Sequence, residues 1–174
     1  MKPLFLLIGL VMASPVLAQN EFAAQSFYNI FRKIKADADS GFKEYKGEPV
    51  KSQYPGLQEA YRVKLMIPLA DSGRIMVPSN RTPYAVYYFE AEKKKDRIDQ
   101  RAVHLRDALL TAWGKPLYAR TTTSKVEDKI FSDTYLFDNP DEVRVSQALF
   151  RINVYYAGKQ YRLLMEIRGT PLKE

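Results

Sequence analysis

The stretch 150-FRINVYYAGKQYRLLMEIR-168 decides the fold. Phe150, Ile152, Val154 and Tyr156 alternate with Arg151, Asn153 and Tyr155. After Ala157-Gly158-Lys159, a second run sets Tyr161, Leu163, Met165 and Ile167 against Arg162, Leu164, Glu166 and Arg168. A period of two sends successive side chains to opposite faces of a strand. A short glycine-containing turn between two such runs joins them as an antiparallel hairpin. The first of these strands is predicted to begin at Val143.

Similar patterning recurs upstream. Tyr61, Val63, Leu65 and Ile67 alternate with Arg62, Lys64 and Met66, and Asp71-Ser72-Gly73 is predicted to turn that strand into Arg74–Val77. The segment from Tyr84 to Phe89 is apolar at both parities, as a strand covered on both sides should be. Leu117–Thr123 and Ile130–Phe137 supply two more strands, followed by the turn Asp138-Asn139-Pro140-Asp141. Two segments instead follow a helical period. Phe27, Ile30, Phe31, Ile34 and Ala38 define the first, with Asn20 as predicted N-cap and Gly41 as its left-handed end. Phe42–Tyr45 is predicted as a short strand, and residues 48–57, rich in Pro and Gly, as a loop. The second helix, Glu92 to Trp113, carries Ile98, Ala102, Leu105, Leu109, Ala112 and Trp113 and stops at Gly114 and Pro116. The expected fold class is α+β: a mainly antiparallel sheet with two α-helices on one face, in the order helix-strands-helix-strands. That order fits an αβββ-αβββ pseudo-repeat, although the residues of the two halves do not align.

Residues 1–18 are predicted to be a secretory signal peptide. Lys2 supplies the positive start, Leu4–Ala13 an apolar run too short to span a bilayer, and Val16-Leu17-Ala18 a cleavage site before Gln19. Removing 18 of 174 residues leaves 156 (19–174), the size of one domain with one core. The composition is globular, at 46% hydrophobic and 27% charged residues. The absence of cysteine excludes a disulfide framework, thiolate metal sites, cysteine nucleophiles and a lipid anchor on cysteine. A cysteine-free exported domain suits a bacterial periplasm or exterior. The net charge of +7 falls by one, to +6, once Lys2 leaves with the signal. It then fits either plain solubility or a protein or anionic component of the cell envelope as partner, and nucleic acid is not the expected one after export.

No catalytic constellation stands out, and neither a cofactor nor a metal is expected. His104, the one histidine, lies beside an apolar helix stripe without a serine elbow to serve. Asp37-Ala38-Asp39-Ser40-Gly41 with Glu48 resembles a calcium loop in its ends, but Gly41 occupies a ligand position and Phe42 the position of the sharp turn. The carboxylates are better explained by a frayed helix end. Lys93-Lys94-Lys95 opens a helix where cations oppose the dipole, and Asn80-Arg81-Thr82 matches a glycosylation triplet.

Alternation also assigns the sheet's second face. With the apolar parity turned to the helices, Arg62, Lys64, Arg151, Arg162 and Arg168 gather with Tyr155 on the uncovered side. Arginine and tyrosine are enriched at binding surfaces, yet a solvated sheet face carries the same residue types. Three functions are compatible: an exported non-enzymatic binding module, a carboxylate hydrolase of cell-envelope material, and a structural subunit joined through strand edges. The binding reading predicts that reversing Arg151 and Arg162 abolishes binding while stability stays nearly unchanged.

Overall fold

The computed structural model describes residues 20–51, 57–78, 82–126, 129–142 and 144–170. The predicted export signal, Asn80 and Arg81 of the glycosylation triplet, and Val143 lie outside the described residues. The chain forms α1 (Gln25–Asp39), β1 (Lys46–Pro49), β2 (Leu57–Val63), β3 (Ala70–Pro78), β4 (Tyr84–Glu92), α2 (Lys95–Trp113), β5 (Tyr118–Val126), β6 (Lys129–Phe137), β7 (Phe150–Ala157) and β8 (Gln160–Arg168). All eight strands join one antiparallel sheet in the order β1-β2-β3-β4-β8-β7-β6-β5. The fold is α+β, with each helix followed by four strands rather than three. The sheet order is symmetric about the β4–β8 seam, where the two αββββ halves meet.

Both helices lie on one face. Phe27, Phe31, Ile34 and Ala38 of α1 and Ile98, Leu105, Ala108, Leu109 and Ala112 of α2 are buried with Ala85, Tyr87, Phe89, Phe150, Ile152, Val154, Leu163, Met165 and Ile167 of the central strands. Rings tie the layers together: Phe31 and Trp113 both meet Phe150, at 5.3 and 5.4 Å between centroids. Tyr87 is buried in this layer, and its hydroxyl donates to the Leu65 carbonyl at 3.1 Å. Burial pushes that hydroxyl's pKa well up.

Several local expectations are corrected. Ala24, not Asn20, is the N-cap of α1. Asn20 instead accepts the Phe22 amide at 2.9 Å and donates from Nδ2 to the His104 carbonyl at 2.9 Å, fastening the preceding segment to α2. Arg101 reinforces this attachment through Glu21. The end of α1 is not frayed. Asp37 is buried, and its carboxylate accepts the amides of Glu44 and Tyr45 at 2.9 and 2.8 Å, ordering a turn in which Gly41 and Phe42 both take positive φ. The strand expected at 42–45 therefore starts at Lys46 and runs to Pro49, into the stretch 48–57 expected to be a loop. α2 starts at Lys95, because β4 continues to Glu92, and it ends as expected at left-handed Gly114.

The turn between β2 and β3 falls at 64–69, where Leu69 has φ 70°, and not at Asp71-Ser72-Gly73, which lie inside β3. Gly73 is needed for packing rather than for turning. A Cβ there would stand 2.6 Å from Val63 Cγ2 and 3.0 Å from the Tyr87 ring. At the other end of the molecule, Gly158 and Lys159 have φ 60° and 66°, the two left-handed residues of a tight hairpin turn. β7 begins at Phe150, preceded by a 3₁₀ turn at Val145–Gln147, so the strand expected from Val143 is shorter. No helix among the described residues is long and apolar enough to cross a membrane.

Candidate functional site

The face away from the helices is organised by cross-strand rows. Register alone places Arg62, Arg74, Val86, Glu166, Arg151, Tyr135 and Arg120 on one line across seven strands. Val86 and Glu166 face each other across the central seam, so positions stepping outward from them correspond between the two halves. Arg74 then matches Arg151, and Arg62 matches Tyr135. In the flanking rows, Met76 matches Asn153 and Ala60 matches Asp133, by the same register.

These matched positions carry opposite chemistry. In the second half, Arg151 donates from Nε to Asp133 Oδ1 at 2.7 Å and from Nη1 to Glu166 Oε1 at 2.8 Å. Asn153 Nδ2 donates to the same Asp133 oxygen at 2.7 Å. Burial holds the Glu166 carboxyl above the ordinary carboxylate range, against the pull of Arg151 and Arg168. Burial works against the charge on Arg151, but Asp133 and Glu166 outweigh it and raise its pKa. In the first half the corresponding residues Ala60, Met76 and Val86 are apolar and buried, forming a second small cluster with Val50, Tyr84, Tyr88 and Leu164 around it. Arg74 therefore has valine where Arg151 has glutamate. It stands directly opposite Arg62, both side chains are exposed, and neither has a carboxylate partner among the described residues. Like charges at directly opposed positions repel. The repulsion is relieved by water here, and more strongly by an anion placed between the two guanidinium groups.

The six residues expected on this face all lie away from the helical layer, but they do not form one cluster. Arg62 is on β2, and Lys64 lies just past its end, exposed, with its amide donating to the Tyr45 carbonyl at 2.8 Å. Three strand spacings, roughly 14 Å, separate β2 from β8. Tyr155 and exposed Arg162 oppose each other near the β7–β8 turn. Arg151 and Arg168 are half-buried: Arg151 is neutralised in its network, and Arg168 donates to the Val145 carbonyl at 3.4 Å. Arg168 sits below its ordinary pKa through burial, an effect that nearby Glu166 opposes. Arg62, Lys64, Arg74 and Arg162 are thus exposed on this face, whereas Arg151 is half-buried in its network.

Sequence reasoning missed Arg74 because it placed a turn immediately before it. With β3 extended back to Ala70, the alternation of Arg74 with buried Ile75 assigns it to the open face at once. The Arg151 guanidinium bonds both Asp133 and Glu166. They serve as counter-ions, not as an acid pair across a cleft. His104 is half-buried on α2 and contributes its carbonyl to Asn20. No protein-family model, curated protein or solved structure matches this chain.

Proposed function

We propose that this chain is an exported, non-enzymatic binding module of the bacterial periplasm or cell exterior that holds an acidic segment of a partner protein on its open sheet face. The observation that carries the proposal is the opposed pair Arg62 and Arg74, exposed and without a carboxylate partner among the described residues, with Lys64 at the end of the same strand. Beside it, the half-buried Tyr84, Tyr88 and Leu164, packed over buried Ala60, Met76 and Val86, offer contact for uncharged side chains of the same segment. Guanidinium groups engage carboxylates through two parallel hydrogen bonds, and loss of one charge-assisted bond costs about 1.5–3 kcal/mol, roughly tenfold or more in affinity.

The test is a titration of residues 19–174 with a labelled random copolymer of glutamate and tyrosine, followed by fluorescence anisotropy. Saturable, salt-sensitive binding is expected, lost in the Arg62→Ser/Arg74→Ser double variant and retained in Arg162→Ser at unchanged melting temperature. Equal binding by wild type and the double variant would place the acidic ligand elsewhere. Export is tested separately by fractionating bacteria that express the whole chain. A periplasmic product beginning at Gln19 supports it, and an unprocessed cytoplasmic product overturns it.

A further inference from the structure

The two edges of the sheet are built differently. β1 has four residues, includes Pro49, and shifts register against β2 between Lys46 and Pro49. Shortness, proline and irregular register are the usual protections of an exposed strand edge. β5 has none of these. It is nine residues long, free of proline, and pairs with β6 in unbroken register from Tyr118↔Phe137 to Val126↔Lys129. Every side chain from Tyr118 to Lys125 is exposed, so neither face of the strand is covered, and the helices sit over β4, β7 and β8 instead. Among the described residues β5 pairs with β6 alone.

We propose that the outer edge of β5 pairs antiparallel with β5 of a second copy of this chain, about a two-fold axis at Thr122. That register engages all nine residues, and it is self-complementary. Thr122 meets Thr122, Thr121 meets Thr123, Arg120 meets Ser124, and Lys125 meets Ala119. β-branched residues occupy the centre, where a pleated surface favours them. No cation lies opposite another: the two Arg120 positions are four residues apart along the strands, roughly 13 Å, beyond the screening length of about 8 Å at physiological salt. The two Lys125 positions are farther apart still. A two-fold axis at a strand edge stands perpendicular to the sheet, so the product is one continuous sheet of sixteen strands, with all four helices on one side and both Arg62–Arg74 pairs on the other. The self-association stands independently of the proposed ligand.

Two double variants test it by sedimentation velocity over a concentration series of residues 19–174. In T121K/T123K the two-fold sets lysine against lysine twice per dimer. In T121K/T123E the same positions set lysine against glutamate twice. Wild type is expected to dimerise, T121K/T123K to associate roughly thirtyfold more weakly, and T121K/T123E to remain dimeric. Circular dichroism melts of both variants confirm that each is folded. A wild-type chain that stays monomeric throughout the series overturns the proposal, and so does equal association of the two variants.

Discussion

Replacing Arg151 and Arg74 by methionine, one at a time, separates structural from available charge on the same sheet face. The two residues occupy corresponding positions in the two halves, and methionine preserves an apolar stem at each. Arg151→Met leaves Asp133 and Glu166 facing each other without their cation, with side chains 25% and 17% exposed. Breaking a fully buried pair costs about 3–5 kcal/mol, and an exposed one about 0–1 kcal/mol. This partly buried network falls between these limits, so a loss of about 2 kcal/mol is expected, or roughly 4–8 °C in melting temperature for a domain of this size. Arg74→Met removes one of two opposed cations and should change stability by less than about 0.5 kcal/mol, or raise it. Equilibrium urea unfolding of residues 19–174 with both variants measures the contrast. Equal losses, or a cost at Arg151 no greater than at Arg74, would refute the assignment of Arg151 to structure. The Arg151/Arg162 charge reversal should therefore lower stability through Arg151, which Asp133 and Glu166 hold, before it acts on any ligand.

Asp37→Ala strips the acceptor from the amides of Glu44 and Tyr45. Leaving a buried donor unsatisfied costs about 1–3 kcal/mol, and these two bonds are only partly buried, so losing both should cost about 2–3 kcal/mol, read as a lowered urea midpoint at unchanged slope. Glu166→Gln should alter the pH profile of stability. The native carboxyl titrates above its ordinary value of 4.5, so between that value and its native pKa the folded state binds more protons than the unfolded state. Wild-type stability from this group is therefore full below pH 4.5 and is lost as pH rises through the native pKa. Urea unfolding across this range should show the variant gaining on wild type as pH rises, and a difference that is flat or of opposite sign contradicts the burial argument.

Much of the fold was legible in the chain because its determinants are local. The alternation of Phe150–Arg168 set both the hairpin and its inward parity, and the helical stripes of Phe27–Ala38 and Ile98–Trp113 set the layer that covers it. The misplacements share one cause. Asp, Ser and Gly at 71–73 carry turn chemistry, but Gly73 serves the packing of Tyr87 and Val63, which the sequence separates from it by ten residues or more. Asp37 looked like a frayed end because its two amide partners lie seven and eight residues ahead.

By itself the sequence determined the α+β class, the parity of the clearly alternating strands at 61–63 and 150–168 and, from it, part of the open face, since a period of two or of 3.6 is fixed by backbone geometry. Only the tertiary structure decided which of those charges neutralise one another. Strand order and register bring Glu166 and Asp133 to Arg151 but valine to Arg74, and no local pattern encodes a neighbour that arrives from another strand.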